Sequence, residues 1–237
     1  MKALILSGGF GTRLRPTLSD RPKPMALVLG KPFLEYLIRF LRGQRVNEII
    51  LCLHFLADQI MEYFGDGSHF GVSIEYSVED KPLGTAGAIK NAEKYLEDTF
   101  YILNGDTYLE IDIKNLLKYH RAKRGIATMS LVKVRNPQRY DLVKIREDGR
   151  VAAFLEKASI KSGREGYINA GVHVFEKRIL DYIAGEVEVS LERQVFPELV
   201  KREEPLYGYV ANGYFIDIGT PEDYLRFQSD VLRVIKH

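Results

Sequence analysis

The chain reads as an α/β fold, a Rossmann-like doubly wound arrangement on a mixed, mostly parallel sheet, and three observations carry that reading. Short β-rich apolar runs alternate with longer stretches of helical period, the pattern of strands joined by helices that cover both faces of one sheet. The first run, Met1 to Leu6, opens straight into the glycine-rich, cationic segment from Leu6 to Lys23. Such loops at the carboxyl ends of strands are where open α/β sheets bind ligands. Beyond about residue 125 strands come more often, as expected of a second half that extends the sheet and adds a lip over that edge.

Taken in order, strands are predicted near 2–7, 48–54, 72–77 and 99–104, with helices near 32–43, 56–64, 85–96 and 112–123. Pro32 suits a first helical turn, and Leu34, Leu37, Ile38 and Leu41 then fall on one helical face. Those are core positions. In the second half strands are predicted near 127–134, 142–146, 150–155, 167–175 and 206–217, with a hairpin turn at Asp148-Gly149 and a closing helix from Pro221 to Ile235. No linker or internal repeat divides the chain. One domain over 1–237 is expected, with a nucleotide-binding lobe (1–125) and a sugar-phosphate-binding lobe (126–237), and no hexapeptide-repeat β-helix domain.

With 34 basic and 32 acidic residues the net charge is +2, so no extended nucleic-acid or anionic-membrane surface is expected. The apolar start is too short for a secretory signal and no run reaches a membrane span, which leaves the cytoplasm as the expected compartment. Cys52 is the single cysteine and lies in an apolar run, as a buried strand residue rather than a nucleophile. His54, His69, His120 and His173 share no metal-ligand spacing, so zinc is not expected. Oligomeric state is left open, with a homo-oligomer among the options.

The loop after the first strand is built for polyphosphate. Gly8, Gly9 and Gly11 let backbone N–H groups approach phosphate oxygens, and Arg13, Arg15 and Lys23 supply fixed positive charge. Two better-known glycine motifs fail on spacing: Leu14 stands where a dinucleotide fingerprint needs its third glycine, and the Lys-Ser/Thr of a Walker loop is absent. Asp106 ends an apolar run within Asn104-Gly105-Asp106, and Asp217 follows Tyr214-Phe215-Ile216 in the same way. Two strand-end carboxylates with nucleotide phosphate and water form a sufficient magnesium site. A turn role for Asp106 and a helix cap at Asp217 are the plainer alternatives.

The ordered set Gly8-Gly-Phe-Gly-Thr-Arg-Leu14, Arg21-Pro-Lys-Pro-Met25, Leu83-Gly-Thr-Ala-Gly87, Asn104-Gly-Asp106, Glu156-Lys157, Asn169-Ala-Gly171 and Asp217-Ile-Gly-Thr-Pro221 resembles the sugar-phosphate nucleotidyltransferases over nearly the whole chain. Members join a nucleoside triphosphate to a sugar 1-phosphate and release pyrophosphate. The resemblance implies a catalytic group of Arg13, Lys23, Asp106 and Lys157. It implies a nucleotide site of Leu6, Gly8, Gly9, Gly11, Thr12, Arg13, Glu79, Gly84 and Thr85. The sugar phosphate would meet Asn104, Glu156, Lys157, Asn169 and Gly171, with magnesium on Asp106 and Asp217. Lys144 is a weaker candidate. Asp141 departs from the family, in which glycine commonly follows the tyrosine, and Tyr214 or Phe215 occupies a region that often bears tryptophan.

Glu79 precedes the Leu83–Gly87 turn where thymidylyl relatives commonly carry glutamine. A carboxylate can accept both N1–H and the exocyclic amine of guanine, whereas thymine or uracil suits an amide. An unpaired buried group would penalise the wrong base by on the order of 1–3 kcal/mol, so Glu79 favours GTP. Within the family, Ser190-Leu-Glu192 and Gly213-Tyr-Phe-Ile-Asp217 look most like heptose 1-phosphate guanylyltransferases, with mannose 1-phosphate guanylyltransferases next. A glucose-1-phosphate thymidylyl- or uridylyltransferase, or a non-catalytic nucleotide-sugar-binding subunit, are the alternatives.

Overall fold

The computed structural model describes residues 1–9, 21–135, 137, 139–156 and 165–234. Its first half contains β1 (Ala3–Leu6), the short β2 (Leu27–Val28) and β3 (Lys31–Pro32), α1 (Phe33–Gly43), β4 (Glu48–Leu53), α2 (Ala57–Phe64), β5 (Ser73–Val78), α3 (Gly84–Asn91), β6 (Thr99–Asn104), β7 (Thr107–Leu109) and α4 (Ile113–Lys123). The second half contains β8 (Ala127–Arg135), β9 (Leu142–Ile145), β10 (Val151–Leu155), β11 (Glu165–Glu176), α5 (Phe196–Lys201), β12 (Leu206–Val210), β13 (Phe215–Asp217) and α6 (Pro221–Val234).

One nine-stranded sheet spans both halves in the order β10-β9-β11-β6-β1-β4-β5, with β8 pairing β11 and β12 pairing β8. Strands β6, β1, β4 and β5 are mutually parallel. The long β11 runs antiparallel to β6, β8 and β9, so the first half of the chain is the parallel half and the second half turns the sheet mixed. On β4, Ile49, Leu51 and Leu53 face one core cluster while Ile50 and Cys52 face the other. A strand buried on both faces needs an unbroken apolar run, which is why 49–53 reads Ile-Ile-Leu-Cys-Leu rather than alternating.

Helices α1, α2, α4 and α6 pack on the first face, and α3 and α5 on the second. Helix α1 follows Pro32, with Glu35 in its first turn and Arg42 in its last, charges that suit the helix dipole. Helix α4 is capped by Asp112, whose carboxylate accepts the Lys114 and Asn115 N–H groups at 2.9 and 3.2 Å. Among the described residues no helix is long and apolar enough to cross a membrane.

The predicted strand over 206–217 is two strands in different sheets. Strand β12 joins the large sheet and β13 pairs antiparallel with β7 in a separate two-stranded ribbon. At the break, a Cβ on Gly213 would lie 1.8 Å from the Glu110 carbonyl, so the chain can cross β7 only as glycine there. The predicted helix over 85–96 is α3 followed by a tighter turn at Glu93–Tyr95. Strands β2, β3 and β7, helix α5 and the wide helical turn Leu191–Val195 that leads into it were not anticipated.

Candidate active site

The carboxyl edge of the sheet gathers the residues that sequence separates. Leu6 pairs with Asn104 on one side and Cys52 on the other, while Leu53 pairs with Val78, so Glu79, the start of the glycine loop and the Asn104-Gly105-Asp106 turn emerge side by side. Ser7 N–H donates to the Cys52 carbonyl at 2.9 Å and Gly105 N–H to the Leu6 carbonyl at 2.8 Å, tying both turns to the strands beneath. Between them opens a cavity of about 340 Å³ lined by Leu6, Gly8, Gly9, Lys23, Glu79, Gly84, Thr85, Asn104 and Asp106, among others. That size suits a nucleotide-sized ligand. Gly11, Thr12, Arg13 and Lys157 lie outside the described residues.

At the cavity mouth Lys23 bridges the two aspartates. Its ammonium lies 2.6 Å from Asp106 Oδ2 and 3.6 Å from Asp217 Oδ1, with 11% of its side chain exposed. Burial alone pushes the Asp106 carboxyl up, but the Lys23 charge and hydrogen bonds from Lys23 and Thr107 outweigh it and hold the group below its usual range. Among the described residues, two carboxylates and one ammonium leave this point net negative. Asp217 is pinned by its own turn, accepting the Gly219 N–H at 2.7 Å. Among the described residues no three His, Cys, Asp or Glu side chains form a metal cage. Two hard oxygen donors converging on one cation do suit a metal that keeps water and phosphate ligands.

The Leu83–Gly87 turn is occupied by protein. Ala86 and Gly87 N–H groups donate to the Val189 carbonyl at 2.9 and 3.2 Å, and Val189 N–H returns to the Leu83 carbonyl at 2.8 Å. A Cβ on Gly84 would lie 2.6 Å from the Val189 carbonyl, and one on Gly87 2.9 Å from that of Val187. The Thr85 hydroxyl donates to Glu192 Oε2 at 2.9 Å and accepts the Leu191 N–H at 2.8 Å. Gly84 and Thr85 therefore line the cavity, while the α3 amides that could have met phosphate are capped by the 187–192 segment.

Glu79 is 7% exposed, and its Oε2 accepts the Leu83 N–H at 2.9 Å. Oε1 faces Gly8, 3.5 Å from where a Cβ would stand. Burial raises the carboxyl above its ordinary value; the Leu83 N–H and nearby His54 pull it partly back. The side chain is thus fixed in the cavity wall, and a surface-acid role is not what the structure shows.

On the other side, Asn104 packs against Gly171, which has a φ of +74° that favours glycine. Asn169 Oδ1 accepts the Gly171 N–H at 2.9 Å, bending β11 where its pairing with β8 shifts register. Glu156 lies at the end of β10, while Lys144 lies within β9 and is exposed. Glu156, Asn169 and Gly171 stand outside the lining of the 340 Å³ cavity, farther along the same edge.

Sequence reasoning missed Ser7 and Glu188, which also line the cavity. Ser7 Oγ is buried with no hydrogen-bond partner, beneath Gly105, where a Cβ would meet it at 2.4 Å. Its place at the end of the first strand, directly before the glycines, was the available signal. Glu188 belongs to a segment whose approach to α3 no local pattern announces.

Residues 2–234 match the nucleotidyl transferase family. The chain is 42% identical over 235 residues to a mannose-1-phosphate guanylyltransferase of Mycobacterium tuberculosis, covering 98% of this chain and 65% of that relative's length. It is 39% identical over 236 residues to a D-glycero-alpha-D-manno-heptose 1-phosphate guanylyltransferase of Aneurinibacillus thermoaerophilus, covering 99% of this chain and all of that one. Among solved structures, HddC from Yersinia pseudotuberculosis complexed with GMP-PN superposes with a TM-score of 0.84 at 36% identity, over 97% of this chain and 99% of that chain.

Proposed function

The chain belongs to the nucleotidyl transferase family, and from that premise we propose that it condenses GTP with a sugar 1-phosphate of manno configuration, heptose 1-phosphate or mannose 1-phosphate, releasing pyrophosphate. The guanylyltransferase relatives and the GMP-PN complex of HddC support the base and the sugar class. The observation that carries the chemistry is the Lys23 ammonium held between Asp106 and Asp217 beside the glycine loop.

A phosphate oxygen of the sugar 1-phosphate attacks the α-phosphorus of the nucleotide in line. The new P–O bond forms as the bond to the β-phosphate oxygen breaks, and the electron pair leaves with pyrophosphate. Positioning and charge neutralisation supply most of such catalysis. Lys23 neutralises phosphate charge at the reacting centre, aided by Arg13 and Lys157. Gly8 and Gly9 offer backbone N–H groups to the triphosphate, with Gly11 and Thr12 continuing that loop. Glu79 accepts from guanine, and Leu6, Gly84 and Thr85 wall the nucleoside. Asn104, Glu156, Asn169 and Gly171 receive the sugar. Asp106 and Asp217 would hold magnesium, which when bound would add positive charge beside Lys23. Residues 1–125 would thus bind nucleotide and 126–237 sugar phosphate, as lobes of one domain in the cytoplasm.

The test is magnesium-dependent pyrophosphate release from purified protein, crossing GTP, dTTP, UTP, CTP and ATP with mannose, heptose, glucose and N-acetylglucosamine 1-phosphates. GTP-specific turnover with a manno sugar is expected. Turnover with dTTP or UTP would reject the base assignment, and silence throughout would favour a binding-only protein. Asp106→Asn should lower turnover by about a hundredfold or more with the fold intact, since it removes charge from the reacting centre. An unchanged rate at saturating magnesium would remove Asp106 from the site.

A further inference from the structure

A groove of about 1170 Å³ shares no lining residue with the nucleotide-sized cavity; Leu29, Lys31, Phe40, Tyr108, Glu110 and Leu232 are among those that border it. Its floor is apolar, with Phe40 of α1 and Tyr108 of β7 meeting edge to face at 5.9 Å between ring centroids. One wall is the β2–β3 hairpin, fixed to α6 where the Leu29 N–H donates to Gln228 Oε1 at 3.1 Å and Gln228 Nε2 donates to the Leu27 carbonyl at 2.9 Å. The other wall runs from Tyr108 to Asp112 with Asn212-Gly213 and borders the β7–β13 ribbon.

The described residues include eight large apolar side chains that are more than a third exposed. The two most exposed, Leu225 at 62% and Leu232 at 54%, both belong to α6, and Leu29 stands beside them on the hairpin. Residues 225 and 232 are two turns apart and share one helical face, with the small, exposed Ser229 between them. The two signs of charge separate around this stripe. Lys31 and Arg39 are half-exposed and share the buried Glu35 carboxylate, and the exposed Arg226 and Arg233 pair with the less exposed Asp223 and Asp230. The cations thus face solvent and the acids that answer them lie beneath. On the opposite wall the exposed side chains are Glu110 and Asp112. A face that is basic on one side, acidic on the other and apolar between is complementary to itself after a two-fold rotation.

We propose that this face is an interaction surface for a second copy of the chain, whose α6 lies in the groove. Leu225 and Leu232 of each copy pack toward Phe40 and Tyr108 of the other, and the α6 arginines turn toward Glu110 and Asp112. Ser229, midway along the stripe, sits at the two-fold axis. Apolar anchors seated in a pocket inside a charged rim are how interfaces of about 800 Å² per partner hold together. The contact also braces the ribbon in which Asp217 pairs with Thr107, the neighbour of Asp106. That consequence for catalysis rests on the reaction proposed above; the interface itself does not.

Sedimentation equilibrium of the whole chain over a dilution series should show a species of twice the chain mass. Leu225→Glu and Leu232→Glu change side chains that are exposed in the single chain, so circular dichroism should be unaltered while the dissociation constant rises on the order of tenfold or more. Ser229→Cys should give a disulfide-linked dimer on mild oxidation, because Cys52, the single native thiol, is buried. Val78→Cys, exposed elsewhere, should give none. A monomer at every concentration would overturn the proposal, whether the groove is bare or holds some other partner. A dimer untouched by either glutamate and linked through Val78→Cys would overturn it as well. Turnover is read separately: the dissociated variants should lose on the order of tenfold in kcat, and full activity as monomers would overturn the brace. A wild type that dimerises but turns over no substrate would overturn the reaction and leave the interface standing.

Discussion

Two glycine-bearing segments border the cavity, and they differ in what fills the space beside them. A Cβ on Gly9 would meet nothing within 4 Å, and one on Gly8 would touch His54 Cβ only at 3.3 Å. A Cβ on Gly84 or Gly87 would strike the backbone of 187–189 below 3.0 Å. Among the described residues, Gly8 and Gly9 stand open toward the cavity; the second segment is closed on its own chain. Both read in sequence as glycine motifs of one binding site and both line the cavity, yet the second also locks α3 to the segment that leads into α5. Stability should therefore respond at the closed segment and activity at the open one.

The largest effect on stability is expected in acid, away from both segments. His173 faces the core beside α5, stacked on Phe175 and tilted against Phe196, with neither ring nitrogen hydrogen-bonded among the described residues. Burial pushes its pKa down to about 3. Because the folded value is depressed, its contribution is fully present above about pH 6.5 and is lost as pH falls toward 3, by several kcal/mol at the extreme. Denaturant midpoints between pH 7 and 4 should fall less steeply for His173→Leu than for wild type. Equal slopes would mean that another group carries the acid sensitivity.

Gly84→Ala should cost about 2–4 kcal/mol, since it combines a φ of +71° with a 2.6 Å approach to the Val189 carbonyl. Thermal unfolding measures it, and an unshifted midpoint would mean that the closed segment can yield. Glu79→Gln should narrow the GTP preference by about 1–3 kcal/mol and leave the fold intact. Its pH profile sharpens the point. Burial raises Glu79, so the KM for GTP should climb as pH falls through a value above the ordinary carboxylate range, and the glutamine variant should lack that rise. A GTP-to-dTTP ratio unaltered by the substitution removes Glu79 from base reading.

Thr85→Val should cost about 1–2 kcal/mol by removing both the Glu192 and Leu191 hydrogen bonds. The smallest effect on stability belongs to Gly9→Ala, within about 0.5 kcal/mol, while its KM for nucleotide rises because the added methyl faces the ligand. A Gly9 variant that unfolds early while Gly84→Ala does not would reverse the comparison.

Much of the parallel half was legible because its strands are buried on both faces. A strand such as 48–53 must be an unbroken apolar run, and a run of that length between polar turns has few other readings. Asp106 and Asp217 were legible as strand-end acids, and Glu79 by its place before the Leu83–Gly87 turn. The second half was harder because its β-rich text is nearly continuous. Residues 206–217 read as one strand except for the turn dipeptide Asn212-Gly213, and it is there, with Gly213 passing under the Glu110 carbonyl, that β12 gives way to β13. The α3 turn lines the cavity as well, but no local pattern announces that the Thr85 hydroxyl bonds residues about a hundred positions away.

Local chemistry by itself determined the alternation of strand and helix, the ligand-binding edge, the cationic glycine loop and the types of group a phosphoryl transfer needs, because periodicity and residue chemistry act over a few residues. Only the tertiary structure decided which of those groups meet. Lys23, Asp106 and Asp217 come from three separate turns and share one point. Such meetings depend on strand order and register, which are set by burying both faces of the whole sheet at once.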